Sequence, residues 1–408
     1  MTRTTILLST LLVSFQLHAE NWPAWRGEGG QGICVEKNLP TTWSKTEGIR
    51  WRTVLPDKGN STPIVWGGRV FVTQALEKER VRGVMCFDRK DGRLLWQSSV
   101  PVEENEPTHA TNPQGSSSPV TDGERVIAWF GSAGLVCYNL DGRELWRRDL
   151  GKQKHEWGWA SSPVIHGDLC LLNFGPGESQ FIIALKKTTG EIVWKKDIAK
   201  PSKEGWNGSW STPVIMPVKS GAQVLLSVSE RLSGIEPATG REVWYSEGLN
   251  PLVYTSPIFS DGVIVANGGY NGAVLAVRAG GSGDVTGSHR LWHIPKGPQR
   301  IGSGVIHEGH IYIVDDPGIA QCIDLKTGVS VWKERLPRAT TNWSSAVLAD
   351  GNIYSVSQAG DVLVFKAATK FEMVAVNSLG ERSNSSVAIS NGDIFIRTHS
   401  ALWCVGGR

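Results

Sequence analysis

Nowhere in these 408 residues do lysine and arginine run to five in a row, and 42 basic residues against 39 acidic ones leave a net charge of +3. Such a balance gives no electrostatic footprint for nucleic acid. Cys-x-x-Cys is absent although there are six cysteines, which argues against a metal cluster. No stretch beyond the N-terminus is apolar enough to cross a membrane. There is no evident nucleophile–base pair and no glycine-rich phosphate loop. No cysteine stands near residue 19, so a lipid-attached N-terminus is not expected.

What the chain has in abundance is glycine, 47 residues, together with 18 tryptophans. The glycines imply many tight turns and therefore many short strands. At the start, Arg3, an apolar stretch from Ile6 to Leu17 and the Leu17-His18-Ala19 triplet read as a secretory signal peptide. Residues 1–19 are then the signal, 20–48 an N-terminal extension and 49–408 the folded domain. The alternative is an uncleaved anchor, for which the apolar stretch is short. Export to the periplasm or the cell exterior is the expectation.

Self-comparison reveals the organisation. Ser-Thr-Pro-Ile stands at 61–64, Ser-Ser-Pro-Val at 117–120 and 161–164, Ser-Thr-Pro-Val at 211–214 and Thr-Ser-Pro-Ile at 255–258. Degenerate copies begin at Gly302, Ser344 and Ser385. The steps between copies are 56, 44, 50, 44, 47, 42 and 41 residues. Hairpin dipeptides such as Asp261-Gly262, Asp350-Gly351 and Asn391-Gly392 follow, each leading into an apolar run. A third strand then enters a turn that ends in tryptophan, as in Cys86 to Trp96 and Cys322 to Trp332.

Four short antiparallel strands in roughly 45 residues make a propeller blade. The predicted fold is an all-β, eight-bladed β-propeller of four-stranded antiparallel blades. A seven-bladed ring with an edge strand is the alternative. Trp96, Trp146, Trp194, Trp244, Trp292 and Trp332 recur on the outer strand, where each is expected to lie between blades. The seventh copy has Val374 instead, which predicts a weaker joint there. The eighth copy has room for three strands only. Residues 47–54, containing Trp51, are expected to supply the fourth and close the ring by pairing the two ends of the chain.

Cys86, Cys137 and Cys322 share one repeat position, and Cys170 replaces an aliphatic residue; all four are read as buried free thiols. The sequence leaves a Cys34–Cys404 bridge open. His307-Glu308-Gly309-His310 lacks the spacing of a zinc helix and occupies a hairpin turn. Asp315-Asp316 lacks the regular oxygen spacing of a calcium loop. The Asn-x-Ser/Thr matches at Asn60, Asn207, Asn342 and Asn384 arise beside the repeated Ser/Thr pair and say little about glycosylation.

These repeats resemble the PQQ-like β-propeller family. Its tryptophan-docking motif has the form Ala-x-Asp-x-x-Thr-Gly-x-x-x-Trp. Cys86–Trp96 and Cys322–Trp332 match with Cys for Ala, and Ala184–Trp194 matches with Lys186 for Asp. Asn21-Trp-Pro-Ala-Trp-Arg-Gly is similar to the start of such proteins. The resemblance covers residues 21–408. It implies one of two roles: a quinoprotein dehydrogenase using pyrroloquinoline quinone (PQQ) and calcium, or a non-enzymatic scaffold like the outer-membrane-assembly propeller BamB. The chain lacks the adjacent cysteine pair of many such dehydrogenases and the lipid-attachment cysteine of the assembly factor.

In a propeller, the residues just before each inner strand converge at one mouth of the central channel. Here they are Lys58, Asn60, Gln114, Trp157, Trp159, Trp206, Trp210, Tyr254, Arg300, Asn342, Trp343, Glu381, Arg382 and Asn384. Aromatic walls with a cationic rim suit a planar anionic ligand or an extended peptide. Asp57 and Glu381 are the nearby candidate bases. The expected function is an exported, monomeric binding or scaffold protein with a protein or small-molecule partner and no obligate cofactor. The rivals are a small PQQ- and calcium-dependent oxidoreductase and a polysaccharide-binding module.

Overall fold

The computed structural model describes residues 21–103, 105–198, 207–270, 272–338 and 341–406. The expected signal peptide and Trp206 lie outside these residues. Eight antiparallel sheets form the eight blades of a propeller. Blade 1 runs outward from the axis as Ile64–Trp66, Arg69–Leu76, Val81–Asp88 and Leu94–Pro101. Blade 8 has Ala388–Ser390, Asp393–Arg397 and Ala401–Gly406, and takes Ile49–Val54 as its outermost strand. Trp51 pairs with Cys404 and Thr53 with Leu402, so the chain ends close the ring as the sequence predicts.

The recurring Ser/Thr segment has a specific task at the axis. The second residue of each copy donates its backbone N–H to the hydroxyl of its counterpart in the next blade. Thr62 donates to Ser118, Ser118 to Ser162, Ser162 to Thr212 and Thr212 to Ser256. Ser256 donates to Ser303, Ser303 to Ser345, Ser345 to Ser386, and Ser386 back to Thr62. This is an unbroken circle of eight hydrogen bonds. Serine and threonine are kept even in the degenerate copies because an inner-strand N–H would otherwise be buried unpaired.

Farther out, the tryptophans join the blades. A register shift adjoins each of them in the outermost strand pair and turns the side chain toward the following blade. The indole N–H of Trp51, Trp96, Trp146, Trp194, Trp292 and Trp332 donates to a turn carbonyl of the next blade, at 2.8–2.9 Å. The turn glycine serves the tryptophan of the preceding blade. A Cβ on Gly190, which has φ +67, would stand 2.6 Å from the Trp146 ring, and one on Gly240 would stand 2.5 Å from that of Trp194. Trp244 differs: its indole donates to Gln223 of its own blade. Blade 5 replaces the turn with a loop whose Gly283–Asp284 lies parallel beside Trp244 and Tyr245.

The joint after Val374 is not left open. Trp43 is buried there; its backbone N–H donates to Asn377 Oδ1, and Asn377 Nδ2 donates to the Thr41 carbonyl. The N-terminal segment thus fills the place that a tryptophan of blade 7 would occupy. All six cysteines are buried and none forms a disulfide, so Cys34 and Cys404 are not bridged to each other. Burial pushes the Cys86 and Cys137 thiols up to about 12.

Two substitutions test this account by urea denaturation. Trp194→Ala should lower stability by about 3–5 kcal/mol through the cavity it leaves. Thr212→Val should lower it by about 1–3 kcal/mol, because the Ser162 N–H loses its acceptor; unchanged stability would mean that the circle is incidental.

Candidate functional site

The circle of hydroxyls surrounds the middle of the channel. Below it, residues 21–38 cross the floor of the ring. Trp22 exchanges hydrogen bonds with Val65 of blade 1, and the Pro23 carbonyl accepts from Thr121 of blade 2. Arg26 donates to the Gly304 carbonyl of blade 6, Gln31 accepts from Phe259 of blade 5, and Ile33–Cys34 runs parallel to Leu348 and Ala349 of blade 7. Glu36 accepts from the Asn391 and Gly392 amides of blade 8. Each of these contacts falls a few residues beyond the circle along the chain, so the segment closes the far end of the channel. Trp25 stands in the channel as a plug.

Above the circle the channel opens into a cup of about 140 Å³. Its walls are Trp25, Trp157, Trp210, Tyr254, Trp343 and Ile301 with the amides Asn60, Asn112 and Asn384. Thr111, Ala160 and hydroxyls of the circle complete it. Trp210 is fixed by its indole N–H on the Gly158 carbonyl at 2.9 Å and by edge contacts to Tyr254 and His155. Trp157 stacks on His109, and Trp343 donates to Asp316. Asn60 and Asn384, from blades 1 and 8, both donate to the Thr111 carbonyl.

Six of the sequence candidates therefore meet in one cup: Asn60, Trp157, Trp210, Tyr254, Trp343 and Asn384. The rest lie elsewhere. Trp159 is buried beneath Arg82, 4.8 Å from its ring centre. Asn342 is buried and donates to Ser355. Gln114 is buried on the Glu106 carbonyl. The cationic rim is where sequence and structure part. Lys58 lies 3.8 Å from Glu77, Arg300 is buried on Asp315 at 2.6 Å, and Arg382 is exposed outside the cup. A charge in such an aromatic cup would need a partner, and two of these cations find carboxylates of their own.

The candidate bases are likewise engaged. Asp57 accepts from the Lys58 and Glu77 amides. Burial raises the Glu381 carboxyl, but Thr398, Arg52 and Trp403 outweigh it and hold the group below its usual range. Burial holds Tyr254 up at about 12, so its hydroxyl is neutral at physiological pH. No carboxylate lines the cup. Among the described residues no three His, Cys, Asp or Glu side chains gather to hold a metal. A calcium-bound quinone would need carboxylate or comparable oxygens around the ion, and the residues of this cup do not fit that group.

Contributors from two segments escaped the sequence reading. Trp25 belongs to the N-terminal segment, and Thr111 and Asn112 belong to the long connection from blade 1 to blade 2. The 56-residue step, the longest in the repeat, was the available signal for the second.

A family model described as outer membrane protein assembly factor BamB matches residues 36–181, 84–334 and 178–405. The chain belongs to this BamB family. Its fold is similar to that of BamB from Moraxella catarrhalis, with TM-score 0.65 and 12% identity over 88% of this chain and 96% of that one. It is equally similar to a quinohemoprotein alcohol dehydrogenase from Comamonas testosteroni, with TM-score 0.66 and 13% identity over 95% and 81% of the two chains. At these identities the likeness concerns the fold. A tetrathionate hydrolase of Acidithiobacillus ferrooxidans is 23% identical over 328 residues, 79% of this chain. This BamB-family chain spans about half the length of that curated relative, 54%. No helix among the described residues is long and apolar enough to cross a membrane.

His399, whose Nε2 lies 3.3 Å from Asn60 Oδ1, provides a pH probe beside the cup. Burial first, then the charges of Arg397, Arg382 and Lys58, push its imidazole down to about 4. The unfolded chain takes up this proton near its ordinary value of about 6.5, while the folded chain refuses it. Stability should therefore fall as pH drops from about 6.5 toward about 4. Urea titrations of His399→Asn should show a shallower fall across that window.

Proposed function

We propose that this BamB-family chain is an exported binding protein that holds a protein segment or a planar small molecule in the aromatic cup and performs no chemistry there. The composition of the wall carries this reading. Indole and phenol faces offer apolar contact, and three amides offer directional hydrogen bonds. No carboxylate, imidazole, amine or thiol stands in the lining to act as base or nucleophile. The BamB likeness supports a scaffold role, and the expected signal peptide supports export.

The experiment is a thermal-shift screen of planar compounds and short peptides. A ligand of the native state raises its melting temperature. Hits on the wild type should give no shift with Trp210→Ala combined with Trp343→Ala. Dye-linked alcohol oxidation after incubation with PQQ and calcium, or turnover of tetrathionate, would replace this reading with an enzymatic one.

A further inference from the structure

The three amides of the cup are all oriented by backbone carbonyls. Asn60 Nδ2 and Asn384 Nδ2 each donate to the Thr111 carbonyl at 2.9 Å. Asn112 Nδ2 donates to the carbonyls of Trp157 and Trp159 at 2.7 and 3.2 Å. A carbonyl can only accept, so these contacts decide which end of each amide is nitrogen. Asn60 Oδ1 meets His399, whereas Oδ1 of Asn112 and Oδ1 of Asn384 accept from no group among the described residues.

The hydroxyls have the complementary lack. Thr62, Ser118, Ser162, Thr212, Ser345 and Ser386 of the circle line the cup. Each of these oxygens accepts one backbone N–H, and none of the six hydroxyl protons has an acceptor among the described residues. Spare donors therefore ring the base of the cup, and spare acceptors belong to its wall. The aromatic rings add carbon surface. The indole N–H of Trp157 is held by Glu156, that of Trp210 by the Gly158 carbonyl and that of Trp343 by Asp316. These three rings have committed their one polar atom elsewhere and offer only faces and C–H edges.

The chemistry of the lining narrows the occupant. No acidic or basic side chain lines the cup, so an ion of either sign would be desolvated there without a partner. The positive charges of Arg397, Arg382 and Lys58 bear on His399 beside the cup, which disfavours a cation further. A purely apolar ring would bury the spare donors and acceptors unpaired. A peptide strand has no way through, because Trp25 and residues 21–38 close the floor. The complementary molecule is uncharged, has apolar faces, carries hydroxyls that both donate and accept, and enters by an end.

We propose that the cup holds the terminal sugar of a neutral glycan, with a C–H face of the pyranose ring stacked on indole and the ring hydroxyls bonded to the circle and to the wall amides. The proposal rests on the reading of the cup as a binding site and names its ligand class. The closed floor sets the direction: the end residue lies against the circle, and the remainder of the glycan leaves through the mouth.

Saturation-transfer NMR on the full chain tests this with the methyl glycosides of glucose, galactose, mannose and N-acetylglucosamine. At least one should receive saturation at millimolar concentration, strongest at the C–H protons of one ring face, and should lose it in Trp343→Ala. Calorimetry should show that sugar binding at least tenfold more tightly than its uronate or its amino-sugar counterpart. Three results would each overturn the proposal: no saturation on any of the four, a charged counterpart binding as tightly as the neutral sugar, or undiminished binding by a folded Trp343→Ala protein. If that variant does not fold, Trp157→Ala takes its place, and the comparison of neutral with charged sugars on the wild type decides if neither folds. Silent sugars with planar compounds or peptides still raising the melting temperature would strike this proposal alone. Silence of all three classes would strike the reading of the cup as a binding site.

Discussion

Each blade hands one inner-strand N–H to a hydroxyl of its neighbour, and the eighth hands its own back to the first. This closed circle constrains the rest of the molecule. It sets the spacing of the inner strands and thereby the width of the channel. The repeat position that forms it cannot drift, because a valine or alanine there would strand a buried amide. Farther from the axis the blades splay, and there the large indoles occupy the wider gap. Small hydroxyls at the hub and tryptophans toward the rim are two answers to one geometrical demand, that wedge-shaped sheets meet without voids.

Where the pattern lapses, other parts of the chain take over, and the lapses are informative. Trp244 turns to its own Gln223 because blade 5 lacks the receiving turn. Val374 is tolerated because Trp43 arrives from the N-terminal segment. The hub, by contrast, admits no exception: even Ser303, Ser345 and Ser386, in copies that have lost the proline, keep the hydroxyl.

The propeller was legible in the sequence because one task is repeated eight times, and repetition turns weak local signals into a strong one. Ser-Thr-Pro-Val and the Thr-Gly turn before tryptophan mark the same points in successive blades, and ring closure by residues 49–54 followed from a missing strand. The cup was legible only in part. Trp210, Tyr254, Trp343, Asn60 and Asn384 occupy equivalent repeat positions, so their convergence could be read. Trp25 and Asn112 reach the cup from segments outside the repeat, which only three-dimensional closure brings near. The three expected cations misled because side-chain pairing is not periodic. Asp315 and Glu77 stand 15 and 19 residues from Arg300 and Lys58, and nothing in the spacing announces them.

The floor segment has a bearing on the order of folding. Residues 21–38 bind blades 1, 2, 5, 6, 7 and 8, and the neighbouring strand 49–54 binds the last strand of the chain. Trp22 and Pro23 find partners in blades 1 and 2, but Arg26, Gln31, Ile33–Cys34 and Glu36 find theirs only after blades 5 to 8 exist. A chain emerging from a ribosome or a translocation pore has to carry residues 26–36 and the strand 49–54 without these partners until the later blades arrive. High contact order of this kind slows folding, and it makes ring closure and floor closure a single late event rather than two.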